Sequence, residues 1–498
     1  MSRFRPSANA SPPPDVASAG VQLPMGPGFR PAFNPGLSGG PNYGPNGGMA
    51  PAPSLVSQRQ TNASLLVAFV MLLIFSHIGR PFEQILVGLR IPAVICSVAI
   101  LISLAYALPV LKTPVGRALA MLVVWMLLVV PLSTWRGGSL KYVLLFAALW
   151  VTFFVLIATA PRTFQQMAVF ASTMAIAVLF NILITAQFGD GDRLKMSGTF
   201  GNSGDVATLG GIALPFWLFV ASRLPMILRI PLSVGMTIFL LRVVILAATR
   251  STLIALVCMF LIWLVRQKVT TQLIAMSSGV VLFLGLIGTA PQAARDRLLT
   301  IFDAFSSAAP EGPMDEAAGS AAERRQLLKD GIWATLTHPI WGVGPGQFAN
   351  YRWTSLGETD GRKKSAMVTH NTYVQVSSES GIPGGLLYLF FVGVTFRSIG
   401  RLRKATAPRS SPGLILGHQL ASCLEMALVL FAVAAFFLTM EAYPWLFFIA
   451  GMAVAGERLA RAELTRVQSV QPSTPGWRPW EAHLGNGPRD LRPAVGLH

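Results

Sequence analysis

Apolar runs long enough to cross a bilayer recur along this chain from about Leu65 to Gly456, and no other feature restricts its fold as severely. A hydrocarbon core about 30 Å thick needs roughly 20 consecutive apolar residues per helix. Hydrophobic residues make up 53% of the 498 and charged residues only 12%, a balance suited to a bilayer rather than to water. Twelve spans are predicted, near residues 62–79, 91–111, 118–134, 141–160, 164–188, 206–222, 231–248, 251–265, 271–289, 382–396, 414–438 and 442–457. The expected fold class is therefore an all-α polytopic membrane protein. It has about twelve transmembrane helices and one large external (periplasmic) helical loop between spans 9 and 10.

Residues 1–53 hold 12 prolines and 9 glycines, the composition of a solvated tail. They lack a charged region followed by an apolar core and a small-residue cleavage site, so the first span is expected to direct insertion. With the N-terminus inside, sixteen basic residues in short loops or near span ends, from Arg59 to Arg466, face inward. Seven face outward: Arg80, Arg90, Arg136, Lys141, Arg193, Lys195 and Arg250. This bias predicts that both termini are cytoplasmic. The expected organisation is a disordered Pro/Gly-rich tail (1–60), spans 1–9 (61–289), a periplasmic cap loop (290–381), spans 10–12 (382–460) and a cytoplasmic tail (461–498). The net charge of +18 lies mostly between apolar runs, where it signals topology and touches lipid headgroups; nucleic acid is not an expected partner.

Residues 290–381 carry acidic and basic residues in near balance and are expected to fold as a cap. Ser320-Ala321-Ala322-Glu323 reads as a capping box, which predicts a helix starting at Ser320. Leu328, Trp333 and Leu336 would form its apolar side. It should end at His338, because Pro339 disfavours the α conformation of the residue before it. Gly342-Val343-Gly344-Pro345-Gly346 then makes a turn.

Cys96, Cys258 and Cys423 fall in separate apolar runs and read as packing residues. The six histidines contain no His-x-x-x-His pair and no Asp-rich cation loop appears, so neither a metal site nor another cofactor is expected. The outward cations violate the positive-inside bias. Arg136, Lys141, Arg193, Lys195 and Arg250, clustered beneath the cap, would bind a membrane-embedded anion such as a lipid diphosphate, since a guanidinium grips two phosphate oxygens at once. For Arg136, Lys141 and Lys195, snorkelling to headgroups is the better reading. Arg250, at the junction of two apolar runs with no adjacent carboxylate, is costly there unless an anion or partner accompanies it.

His370 opens the segment His370-Asn371-Thr372-Tyr373, and Gly381-Ile382-Pro383-Gly384 follows just before a span. A histidine at the membrane edge can stay neutral near pH 7 and take a proton from an attacking hydroxyl. His338 reads as a helix cap and His77 as a packed or interfacial residue. The backbone N–H groups of Gly342, Gly344 and Gly346 could face an anion, although a tight turn is the more economical account. Glu379 and Glu358, the nearest acids, read as solvated or ion-paired.

The stretch from Arg325 to Tyr388 resembles the signature region of the O-antigen ligase and polymerase family. The resemblance rests on His338-Pro339, the Gly342–Gly346 turn, His370-Asn371 and, nine residues on, Gly381-Ile382-Pro383-Gly384. Gly198-Thr199-Phe200-Gly201-Asn202 and Thr249-Arg250-Ser251 look like that family's other loop motifs and extend it over about residues 60–460. The resemblance implies residence in a bacterial inner membrane and an inverting, metal-independent glycosyl transfer from an undecaprenyl-diphosphate-linked glycan. It puts the base for the acceptor hydroxyl on His370 and one diphosphate-binding arginine on Arg250. A second arginine near the start of the large loop falls on Arg295 or Arg297, and Arg193 follows as a further candidate. Asn371, Gly344, Gly381 and Gly384 support the motif.

The expected function is polymerisation of a surface polysaccharide, with membrane lipids and other polysaccharide-assembly proteins as surroundings. The alternatives are a ligase that passes the glycan to lipid A core or another acceptor, and a flippase for the same lipid-linked glycan. A flippase would be expected to show related halves; here the candidate residues gather on one side, around one asymmetric cap.

Overall fold

The computed structural model describes residues 55–79, 91–188, 194–196, 203–292, 294, 295, 298, 316–355 and 368–470. The helices are α1 (Leu55–Ile74, extended by a π turn, Phe75–Gly79), α2 (Ile91–Leu111), α3 (Pro114–Val129), α4 (Arg136–Phe146), α5 (Thr152–Thr159), α6 (Phe164–Thr185), α7 (Ser203–Ser222), α8 (Met226–Leu246), α9 (Arg250–Leu264) and α10 (Val269–Gly288). After them come α11 (Glu316–Thr337), α12 (Phe348–Ser355), α13 (Thr372–Ala405), α14 (Pro412–Ala434) and α15 (Pro444–Val470). A short antiparallel pair, β1 (Ala186–Phe188) and β2 (Leu194–Met196), sets Gln187 opposite Lys195. The protein is an all-α polytopic membrane protein apart from this ribbon.

Each run read from the sequence falls mainly on a helix, the run at 164–188 giving up its last three residues to β1. Among the described residues, nine helical segments are long and apolar enough to cross a membrane, α4 and α5 counting as one through the π turn Ala147–Val151. Ser64–Gly79 and Arg250–Leu264 are shorter apolar helices. α15 carries Glu457, Arg458 and Arg461 in its second half. α1 begins at Leu55, inside the tail expected to reach residue 60, and α15 continues past residue 460 to Val470.

The helices start where cap chemistry permits. Thr113, Thr163 and Ser411 each accept a backbone N–H from three residues on, and Pro114 and Pro412 occupy first-turn positions where a missing N–H costs nothing. α7 and α14 form the centre of the bundle: 83% and 72% of their apolar windows are buried, against 6% for the peripheral α10. α7 packs on α6, α8 and α14, α9 on α14, and α13 on α3, α14 and α15. Cys423 is buried and Cys96 and Cys258 are half-buried, all as free thiols.

One end of the bundle is held by charge. Glu425 accepts from Arg266 at 2.6 Å and Arg403 at 2.9 Å, and Glu457 from Arg401 at 2.8 Å and Arg461 at 3.4 Å. Arg458 donates to Thr159 O and Pro161 O at the end of α5. At the opposite end Arg242 donates to Leu286 O and Thr289 O, the terminal carbonyls of α10, where a cation complements the helix dipole.

Two expectations about the cap change. α11 starts at Glu316 rather than Ser320, because the alanines at 317, 318, 321 and 322 carry helix readily through the capping-box serine. Its inward stripe is Leu327, Gly331 and Ala334, whereas Trp333 and Leu336 are 57% and 65% exposed. α11 does end at Thr337, before His338-Pro339, as expected.

The connection after α11 crosses the backbone of α13 at a kink. Gly381 has φ +72°, a left-handed conformation that favours glycine, and an added Cβ would lie 2.0 Å from Ile340 O. Gly381→Ala is expected to lower the melting temperature of the purified protein, with about 1–3 kcal/mol of backbone strain added to the collision. Gly393→Ala, where an added Cβ meets nothing within 4 Å, should leave melting unchanged or raise it slightly. Equal melting of the two variants would contradict the crossing.

Candidate active site

Three motifs read separately from the sequence, the His338-Pro339 segment, the Gly342–Gly346 turn and Gly381–Gly384, pack as one assembly. Gly342, Gly344 and Gly346 adopt φ of +67°, +112° and +71°, which lets the turn fold back on α13. The Val343 amide donates to Ser378 O and the Gly344 amide to Glu379 O, both at 2.9 Å, while the Ile382 amide donates to Pro339 O at 2.7 Å. The Thr134 amide and hydroxyl both donate to Val343 O at 3.0 Å, and Ser139 Oγ donates to Pro345 O at 3.0 Å. Trp125 of α3 stacks on Trp341 at 5.5 Å and donates Nε1–H to Ser380 O at 2.8 Å. Gly344 lies against Ser133, and Gly384 against Ser380 and Trp125. These glycines serve close backbone approach.

Glu379 corrects an expectation. Its carboxylate is neither solvated nor ion-paired: the side chain is buried and accepts from the Gly346 amide at 2.7 Å, the Phe348 amide at 3.3 Å and Gln375 Nε2 at 2.7 Å. The group bound by the Gly346 amide is thus one of the chain's own side chains. Nothing in a linear sequence marks Glu379 for this, since its partners lie 31 and 33 residues away. Glu358 lies outside the described residues.

His370 sits at the far end of the same helical segment, with φ +51°. Histidine visits this region more than most residues do, but such a conformation persists only where its surroundings over-determine it. Here they do. The Thr369 amide donates to Gln375 Oε1, the Thr369 hydroxyl to Asn371 O and the Asn371 amide to Thr369 Oγ1. Asn371 Oδ1 caps α13 by accepting the Val374 amide at 3.0 Å. Thr372 is tied to the loop after α14: its amide donates to Ala435 O, its hydroxyl donates to Leu438 O, and it accepts from the Met440 amide. Burial, and after it the charge of Arg324, pushes the His370 imidazole down to about 4 from the ordinary 6.5. It is therefore neutral at pH 7 and able to accept a proton.

Arg324 was missed in the sequence. It lies seven residues, two helical turns, before Gly331, whose Cα is so close to Thr369 that an added Cβ would lie 2.6 Å from Thr369 Cγ2. That spacing carries Arg324 toward His370. Arg295 lies in the stretch after α10, where Ala290 and Leu298 pack with Ile245 and Leu286; Arg297, Arg193 and Gly198–Asn202 lie outside the described residues. Arg136 and Lys141 are exposed.

Arg250 is half-buried and opens α9. The residues before it are strained and pinned: Ala248 has φ +49°, and Thr249 Oγ1 donates to Ser203 O at 3.3 Å, at the start of α7. Two residues on, Asp205 accepts from Tyr443 Oη at 3.1 Å, and Tyr443 follows the loop that holds Thr372. These hydrogen bonds and the short chain segments between them put Arg250 and His370 at the same end of the bundle. His77 is packed as expected, stacked on Phe153 at 5.3 Å, whereas the ring of His338, expected to cap the helix, stacks edge-on against Tyr351 at 5.4 Å and contacts Thr337 Oγ1.

Behind the glycine turn lies a second buried carboxyl, Glu441, whose charge reaches both Tyr142 and Tyr388. It had a sequence signal, being the one acid between Glu425 and Glu457, in surroundings where ionisable residues are costly.

Residues 235–389 match the family model described as O-antigen ligase. That interval runs from within α8 through Arg250, α11, the glycine turn and His370 to Leu389. No curated protein matches the chain.

Glu379→Gln replaces one acceptor oxygen by an NH2 group facing a backbone N–H. It is expected to loosen the glycine turn by about 1–3 kcal/mol, read as faster amide hydrogen exchange at Gly346 and Phe348 with α14 unchanged. Unchanged exchange at those amides would contradict the clamp.

Proposed function

We propose that this multi-pass chain, a member of the O-antigen ligase/polymerase family through residues 235–389, transfers a glycan from undecaprenyl diphosphate at the outer face of a bacterial inner membrane. The observation that carries the reading is His370, held neutral in a left-handed conformation beside Arg324, at the same end of the bundle as Arg250.

The chemistry follows from those groups. An acceptor hydroxyl gives its proton to the neutral imidazole of His370 as it attacks the anomeric carbon from the face opposite the diphosphate, so the configuration inverts. Negative charge grows on the departing diphosphate, and fixed guanidiniums at Arg250 and Arg324 stabilise it. Arginine supplies this charge without a metal ion. The termini then lie in the cytoplasm, on the side where Glu425 and Glu457 hold their arginines. A polymerase, whose acceptor is another lipid-linked repeat, is the form of the reaction we favour.

Purified protein in nanodiscs, given the host's lipid-linked repeat and EDTA, is expected to make a ladder of longer glycans. His370→Ala and Arg250→Ala should each slow this about 10²–10⁴-fold. Product formed only when core lipid is added would identify a ligase. No product from the wild type, with movement of the lipid-linked glycan across vesicle bilayers, would overturn the enzyme reading.

The pH dependence has a fixed sign. His370 accepts protons only in its neutral form, which dominates above about 4. The transfer rate should therefore stay level from pH 8 to below pH 6 and fall as pH drops toward 4. Arg324→Gln removes a positive neighbour and should move the falling limb to higher pH. A wild-type limb centred at 6.5 would contradict a buried histidine base.

A further inference from the structure

Among the described residues, six buried polar side-chain atoms have no hydrogen-bond partner, and three of them, Tyr142 Oη, Tyr388 Oη and Glu441 Oε2, lie within electrostatic reach of one another, with a fourth, Thr439 Oγ1, two residues before Glu441 in the same loop. Most buried side-chain polar atoms in native proteins have a partner, and a cluster of atoms that lack one asks what is meant to fill it. Tyr388 is 1% exposed, so its hydroxyl cannot turn to solvent. Tyr142 and Glu441 are near enough to bond each other after a small reorientation; Tyr388 Oη and Thr439 Oγ1 would still lack partners.

The surroundings are built from three parts of the chain. Tyr142 comes from α4, Tyr388 from α13, and Thr439 and Glu441 from the loop between α14 and α15. The Gly346 turn covers the Tyr142 ring. Beneath, Phe447 packs among Phe146, Trp150 and Phe391. Tyr373, beside Tyr388 at 6.2 Å, spends its hydroxyl on Ala432 O, and Glu379 spends both oxygens on the turn. What remains is a set of hydroxyls and a carboxyl over an aromatic floor. Its loop also holds Thr372, two residues from His370.

We infer that Tyr142, Tyr388, Thr439 and Glu441 form a subsite for hydroxyl groups of the sugar attached to the lipid diphosphate. The inference rests on the glycan-transfer reading and adds to it which residues recognise the saccharide. Saccharide hydroxyls both donate and accept, as this mixed set requires. Burial raises the Glu441 carboxyl to about 7, so it too can play either part. A site of buried polar groups left unpaired without its ligand discriminates strongly in favour of the ligand that pairs them.

Binding of two lipids in nanodiscs, followed by native mass spectrometry, tests this: undecaprenyl diphosphate without sugar, and the same lipid carrying the host's repeat unit. The wild type should prefer the glycosylated lipid by about 10-fold or more. Tyr388→Phe and Glu441→Gln should each remove most of that preference while leaving affinity for the sugar-free lipid within about twofold. Without ligand, Tyr388→Phe should melt no lower than wild type, because the lost hydroxyl had no partner; a structural hydroxyl would lower it. Thr439→Val, in the loop, carries the same binding expectation and serves should Tyr388→Phe not assemble. Preference retained in the variants, or both lipids weakened alike, would overturn the subsite. Equal wild-type affinity for the two lipids would also overturn it, leaving the transfer reading standing, whereas a wild type that binds neither lipid would overturn both.

Discussion

The site depends on one backbone crossing. The segment from Pro339 to Gly346 lies directly on residues 378–382, and Gly342 and Gly381 make this possible because a side chain at either would enter the opposing backbone. Glu379 fastens the crossing from within by accepting two backbone N–H groups of the turn. From Thr372 to the kink the helix is a strut of about 14 Å at 1.5 Å per residue. One end is fixed by the turn and α3, the other by the loop after α14. The nine residues between Asn371 and Gly381 are the length of that strut, and His370 is mounted on its tip.

Charge is handled differently at the two ends of the bundle. Glu425 and Glu457 pair with arginines, in the manner of a surface that fixes topology and helix register. At the other end Glu379 holds backbone amides and Asp205 holds Tyr443, and the ion pair there, Arg352 with Asp330 at 2.8 Å, is buried between α12 and α11. The imidazole of His370 is kept neutral by burial and by Arg324. That combination suits a reaction in which a hydroxyl loses a proton while an anionic group departs.

Much of this was legible in the sequence, for reasons that differ by residue. The spans are legible because hydropathy over 20 residues is a direct physical requirement of the bilayer, and the ends of α3, α6 and α14 because Thr113, Thr163 and Ser411 cap them in sequence-local ways. The start of α11 was misplaced because a capping-box pattern inside an alanine-rich stretch does not stop a helix. Its inward face was misread because spacing alone does not say which side meets α13, and the side that does carries Gly331, pressed against Thr369 and Val374. Glu379 and Arg324 take their roles from contacts across the chain, which spacing along one segment does not report, although the seven-residue step from Arg324 to Gly331 was available. Glu441 stood alone among apolar residues and could have been singled out on that ground.

Direct displacement is most plainly tested by the anomeric configuration of the new glycosidic bond, measured by one-bond carbon–hydrogen coupling in product made from a carbon-13-labelled lipid-linked donor. Inversion relative to the donor is expected for a hydroxyl deprotonated at His370 that attacks opposite the diphosphate. Retention would contradict it, because it requires a second displacement and a nucleophile on the protein that a histidine base and arginine clamps do not provide.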